Sequence, residues 1–243
     1  MKIHAFGDSF VMGDQDDYND RMTGQEHVAH TEWLRYNVSF PALIAKSLGI
    51  PLTNYAVRGS GNFPQLDELW LAIHNQKISS EDVVLFGITA VGRDRSSLRE
   101  FEKSTGVQFG PCMVKRSLLT QHKFDIVSSM DYYYIISVLQ SLKKAFDLNI
   151  VIFNIFDSPV TWVPQSCVNM FDLSDLMLNR QQGNTLVDIL NDTWGHATHH
   201  PYHVDLSVPA GYEHLYTTHK HPSVEGHKKI AQWFLANVPE LQP

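Results

Sequence analysis

The sequence predicts an α/β fold, a three-layer α/β/α sandwich built on a parallel sheet and carrying long loop insertions. Three observations predict it. Lys2 to Phe6 reads as a short apolar strand that runs straight into a Gly-Asp-Ser turn. Asp82 to Ile88 is a nearly continuous apolar run, the pattern of a central parallel strand buried on both faces. Strand-like and helix-like stretches alternate along the chain, which implies parallel strands joined by right-handed crossovers.

Taken in order, the first strand ends at Gly7-Asp8-Ser9, where Gly7 permits a tight turn and Asp8 can bond turn amides. Gly13 to Tyr36 is polar and lacks a clear period, so it is expected to be a solvated lid over the Ser9 pocket. Its aspartates do not match a calcium loop counted from Asp14, which would need glycine at position 6 and glutamate at position 12. Phe40 to Leu48 is predicted as a helix, with Ser39 as cap, Pro41 in the first turn and Gly49 as stop. Leu52 to Val57 follows as the second strand, then the turn Arg58-Gly59-Ser60-Gly61-Asn62. Pro64 to His74 is the next helix, with Leu66, Leu69, Trp70 and Ile73 on one face.

After the Asp82–Ile88 strand, residues 89 to 125 read as a long insertion bordering the pocket. Ile126 to Leu148 is the longest predicted helix, and its Met130 and Tyr134 are expected in the core. Asn149 to Ile155 is the fourth strand. Residues 159 to 182 are irregular apart from a short helix at Leu173 to Leu178, and Leu186 to Leu190 is another short helix. A histidine-rich loop leads to a final helix from Pro222 to Asn237. Neither an internal repeat nor a linker stands out, so residues 1–243 are expected to form one domain.

The chain has 243 residues, enough for one α/β domain with a full core, and its 43% hydrophobic content fits a globular protein. A net charge of −7 argues against nucleic acid as a partner. Apolar runs stay below membrane-spanning length, so a membrane partner is not expected. Met1 to Phe6 enters the first strand directly, which predicts no cleavable leader and a cytoplasmic location, with export by another route or packaging into a particle left open. Cys112 and Cys167 lack a CxxC pattern and read as free thiols.

The chemistry concentrates in a few short blocks. Ser9 follows the first strand, and in an open α/β sheet ligands bind at the carboxyl ends of the strands. A serine hydroxyl is a poor nucleophile until a base takes its proton. His221, in His221-Pro222-Ser223-Val224-Glu225-Gly226-His227 before the last helix, is the candidate base. Gly-Asp-Ser near the start, paired with His-Pro-Ser-x-x-Gly-His near the end, resembles the SGNH (GDSL-type) hydrolase family. Asn54-Tyr55-Ala56-Val57-Arg58-Gly59 resembles that family's second block.

The resemblance implies a flavodoxin-like strand order 2-1-3-4, with room for a fifth strand. It implies serine ester hydrolysis without a cofactor, on a small-molecule or carbohydrate ester such as a carbohydrate O-acetyl group. Trp33, Trp162 and Trp194, with the acidic surface, lean towards a polar or carbohydrate substrate. The family's oxyanion donors map to the backbone amides of Ser9 and Gly59. Its third donor, an asparagine, maps to Thr89, which can donate one hydroxyl hydrogen. Asn62 and Arg93 are alternative contributors to substrate binding.

The aspartate that the family places three residues before its histidine is Thr218 here. Loss of the acid from such a triad lowers kcat roughly 10⁴-fold. Three outcomes are open: a Ser-His dyad held by Thr218 or a carbonyl, a substitute acid such as Asp205 or Glu213, or a catalytically weak binding module that kept the fold. A further alternative is a transition-metal site at His196-x-x-His199-His200-x-x-His203, although HExxH is missing. The leading expectation assigns no metal.

Overall fold

A computed structural model of the chain describes residues 1–14, 25–89, 121–155, 186–191, 208, 210–218 and 221–242. In chain order these form β1 (Ile3–Phe6), α1 (Ser9–Met12), α2 (Gln25–Asn37), α3 (Phe40–Leu48), β2 (Leu52–Asn54), α4 (Asn62–His74), β3 (Val83–Ile88), α5 (Gln121–Phe146), β4 (Asn149–Asn154), α6 (Leu186–Asn191) and α7 (Val224–Asn237). Single 3-10 turns, Glu213–Leu215 and Pro239–Leu241, flank α7.

The four strands pair in parallel in the order β2-β1-β3-β4. Ile3 stands opposite both Leu52 and Val83, and Val83 opposite Asn149, so the strands share one register. All four carboxyl ends therefore meet at one edge. Pairing continues beyond β2, where Tyr55 N–H donates to Ala5 O at 2.8 Å and Val57 N–H to Gly7 O at 3.1 Å.

Alternation along the strands sends side chains to two separate cores. Ile3, Ala5, Leu85, Val151 and Phe153 pack with Phe40 and Ile44 of α3, Ile189 and Leu190 of α6, and Ile230 and Phe234 of α7. Phe6, Val84, Phe86, Ile150 and Ile152 pack on the other face with Leu66, Leu69 and Ile73 of α4 and Ile135, Ile136 and Leu139 of α5. This is the three-layer sandwich, and it explains why β3 is buried at every residue. Phe234 fixes α7 on its face, with ring centroids 5.2 Å from Phe40 and 5.1 Å from Phe153.

Several expectations need correction. Gln25–Asn37, expected within a loop, is helix α2. Its polar surface hides the helical period, and of its side chains Leu34 is the one buried. Arg35 ties it to the β2 side by donating to Ala56 O at 3.2 Å. The longest helix starts at Gln121 rather than Ile126. Its apolar stripe runs through Ile135, Ile136, Leu139 and Leu142, while Tyr134 is 56% exposed and lies against Phe63 instead of entering the core. Trp70 likewise faces outward and meets Phe146 edge-on. The irregular stretch at 159–182 and its Leu173–Leu178 helix lie outside the described residues.

Candidate active site

Ser9 begins α1 directly after the β1 turn. Gly7 has φ 151, and a side chain there would meet Val11 Cγ2 at 2.5 Å, so both backbone and space demand glycine. Asp8 caps the short helix, its carboxylate accepting from Phe10 N–H at 2.9 Å. The Ser9 residue is buried, with 2% exposure.

His221 Nε2 lies 2.8 Å from Ser9 Oγ. With the ring proton on Nδ1, Nε2 accepts from the serine hydroxyl, the arrangement a general base requires. The histidine is half-buried at the end of a closed loop. Thr217 N–H donates to His221 O at 2.8 Å, His221 N–H donates to Thr217 Oγ1 at 3.2 Å, and Tyr216 and Pro222 form an antiparallel bridge. Ser223 then caps α7: its hydroxyl oxygen accepts from Gly226 N–H at 3.2 Å and its hydroxyl donates to His214 O at 2.7 Å. Phe10 meets the His221 ring edge-on at 5.3 Å. His221 is thus seated by the helix that Ser9 begins and by the cap of the last one.

Gly59 sits in a turn closed by Ser60 N–H donating to Val57 O at 3.0 Å. Its φ of 67 is left-handed, and a side chain at this position would meet open space, so the conformation rather than crowding selects glycine. Arg58 Nε pairs with Asp14 Oδ2 at 3.0 Å, joining this turn to the end of α1, where Asp14 N–H also donates to Ser9 O.

Thr89 is buried at the end of β3. Its hydroxyl donates to Asp8 Oδ2 at 2.6 Å, which engages the single hydrogen that was expected to serve an oxyanion. Asn62 grips the Thr89 backbone from both sides, Oδ1 accepting from Thr89 N–H at 2.8 Å and Nδ2 donating to Thr89 O at 3.2 Å. The side chains of Thr89 and Asn62 therefore brace the site in this arrangement. Thr218 is exposed; the residue that takes the His221 amide is its buried neighbour Thr217. Glu213 accepts from Gly211 N–H at 2.8 Å within its own turn. Arg93, Asp205 and the His196–His203 cluster lie outside the described residues, as do Trp162 and Trp194. Trp33 is exposed on α2 and stacks on His30. Among the described residues, no group of three or more His, Cys, Asp and Glu side chains is placed to hold a metal ion, and no helix is long and apolar enough to cross a membrane.

Behind the site, His227 is completely buried on α7, and its Nδ1 accepts from Phe40 N–H at 3.3 Å. Burial, with the nearby His221 adding to it, pushes the His227 pKa down to about 3. Sequence reasoning missed Thr217 and Gln65. Gln65 carried a usable signal, since it lies three residues after Asn62 and one before Leu66, a polar position on the buried side of an amphipathic helix.

Solved structures share this architecture. One is a protein from Parabacteroides merdae assigned as a GDSL-like lipase, matching with TM-score 0.51 and 12% identity over 98% of this chain and 95% of that one. Another is a tryptophan-to-isoleucine mutant of an acetyl-xylooligosaccharide esterase from Geobacillus stearothermophilus, with TM-score 0.51 and 12% identity over 98% and 94%. A third is a lipase from a goat rumen metagenome, with TM-score 0.50 and 11% identity over 98% and 97%.

The chain has the SGNH-hydrolase fold.

No family model and no curated protein matches the sequence. At these identities the SGNH-type likeness is one of fold. The 2-1-3-4 order expected from the motif blocks is the order found.

Proposed function

We propose that the chain is a serine ester hydrolase of SGNH type, with Ser9 as nucleophile and His221 as general base. The observation that carries this reading is the 2.8 Å approach of His221 Nε2 to Ser9 Oγ at the carboxyl edge of the sheet. In the first step Ser9 gives its proton to Nε2 as Oγ bonds to the ester carbonyl carbon. The carbonyl π pair moves to oxygen, and the backbone amides of Ser9 and Gly59 stabilise the oxyanion. The imidazolium then returns the proton to the departing alcohol, leaving an acyl-serine. Water repeats the sequence, releasing the carboxylic acid and restoring Ser9. Thr217 and the Tyr216–Pro222 bridge hold the base through its backbone, in keeping with a dyad.

The substrate we assign is a carboxylic ester of a small molecule or carbohydrate, with a sugar O-acetyl group as the leading candidate. The likeness to an acetyl-xylooligosaccharide esterase supports this choice. The test is hydrolysis of p-nitrophenyl esters of increasing acyl length and of acetylated xylooligosaccharides, by the native chain and Ser9→Ala. Turnover that survives Ser9→Ala removes the proposal.

A second reading is favoured by one observation: the Thr89 hydroxyl is held by Asp8. With this donor engaged and Thr218 in the place of an acid, the site is also suited to binding an ester or sugar without turnover. It predicts saturable binding of acetylated xylooligosaccharides and no labelling of Ser9 by a fluorophosphonate.

A further inference from the structure

Beneath the Ser9 turn, buried polar groups close into a ring of hydrogen bonds. Gly7 N–H donates to Gln65 Oε1 at 2.8 Å. Asp8, the next residue, accepts from the Thr89 hydroxyl at 2.6 Å. Thr89 is gripped through its backbone N–H and C=O by Asn62. Asn62 and Gln65 lie three residues apart on α4, so one helical turn completes the ring. A branch leaves it where Gln65 Nε2 donates to Ser60 Oγ at 3.1 Å, directly after Gly59.

Asp8, Asn62, Gln65 and Thr89 are all buried. Hydrogen bonds offset the cost of burying such groups with only a small net gain, and apolar side chains of similar volume often serve stability as well. Leu66, Leu69, Ala72 and Ile73 fill the rest of the buried face of α4 in that apolar way. The ring does something packing alone would not. It fastens three separate strand ends to one another: Gly7-Asp8 after β1, Ser60 to Asn62 after β2, and Thr89 after β3. Ser9 is the next residue after the first of these, and Gly59 immediately precedes the second. Backbone donors for an oxyanion are effective only when fixed to within about half an ångström.

We propose that Gln65, Asn62, Thr89 and Asp8 act together as positioning residues that set the spacing between the Ser9 and Gly59 amides. In this chain a strut, Thr89 to Asp8, takes the place of a third side-chain donor. The proposal rests on the reading of Ser9 and His221 as a hydrolytic pair. It assigns to Gln65 and Thr89 an effect on the chemical step rather than on substrate binding.

The test compares Thr89→Val, Thr89→Ser, Gln65→Met and Ser9→Ala with the native chain. Steady-state hydrolysis of p-nitrophenyl acetate, the rate of labelling by a fluorophosphonate and the thermal midpoint are measured for each. Thr89→Val keeps the side-chain shape and removes the bond to Asp8, whereas Thr89→Ser keeps the hydroxyl. The expected result is a fall in kcat of about 10- to 100-fold in Thr89→Val and Gln65→Met, with KM changed by less than about 3-fold and labelling slowed in parallel. Thr89→Ser is expected to recover to within about 3-fold of native kcat. Should Gln65→Met fail to fold, the Thr89 pair decides. Full kcat in Thr89→Val with only a lowered thermal midpoint overturns the proposal, as does an equal loss in Thr89→Ser and Thr89→Val. If Ser9→Ala is inactive while Thr89→Val is fully active, the positioning role alone is lost. Turnover that persists in Ser9→Ala, or a native chain that neither turns over ester nor labels, overturns the hydrolase reading and the positioning role together.

Discussion

His221 Nε2 stands 2.8 Å from Ser9 Oγ although 212 residues separate the two in the chain. If they act as one unit, their removal is not additive. Ser9→Ala and His221→Ala should each lower kcat on p-nitrophenyl acetate by at least about 10³-fold, and the double variant should be no worse than the worse single one within about 3-fold. Steady-state kinetics on the four proteins check this. Losses that multiply would mean the two side chains work independently.

Thr217 holds the His221 backbone through its hydroxyl as well as its amide. Thr217→Val removes the hydroxyl acceptor and leaves the backbone bond. A hydrogen bond of this kind is worth about 1 kcal/mol, so kcat should fall about 5-fold, and Thr217→Ser should restore it. A Thr217→Val protein with native kcat would show that the Tyr216–Pro222 bridge alone seats the base.

Gly226 lies in the first turn of α7, where an added Cβ would run into the Leu215 carbonyl, the same oxygen that accepts from Ser223 N–H. Gly226→Ala should therefore push the helix away from the loop that carries His221. Overpacking of this sort costs about 1–3 kcal/mol, read from the urea midpoint, and the shift should lower kcat as well. Unchanged stability would mean that the loop yields without strain.

His227 fixes the sign of an acid effect. Its pKa in the folded chain is about 3, against 6.5 as its ordinary value. Between those limits the unfolded chain binds a proton that the folded chain refuses, so stability rises with pH and is lost as pH falls from 6.5 towards 3. The contribution is about 1.4 kcal/mol per pH unit within that window. Burial also lowers the pKa of His4, which acts in the same direction. His227→Asn keeps an acceptor for Phe40 N–H and does not titrate, so its stability should fall less steeply across that window. Urea melts at several pH values measure the two slopes, and equal slopes would mean that His227 is not the group responsible.

The fold was legible where local pattern and burial agree. The continuous apolar run of β3 is buried throughout, and Ser39 and Gly49 bound α3 as read, with Gly49 in the left-handed region. Reading failed where a helix carries little apolar contrast, as in α2, or where a large aromatic sits beside the core instead of inside it, as do Trp70 and Tyr134. In the candidate site, the approach of Ser9 and His221 followed from motif blocks at opposite ends of the sequence. What each bracing residue does was not legible. Whether a threonine hydroxyl meets a ligand or an aspartate depends on the distance between two strand ends, here 81 residues apart for Asp8 and Thr89. Spacing within one segment carries no information about that distance.

The pinning of α7 to α3 through Phe234 and Phe40 has a consequence for biosynthesis. Ser9 leaves the ribosome well before His221, and the segment between them supplies most of the sheet. Strands β1 to β4 are therefore all synthesised before the segment that brings His221 to Ser9. If Ser9 and His221 act as the proposed pair, the reactive centre is complete only once the final helix has docked, so a chain that still lacks it should not hydrolyse esters.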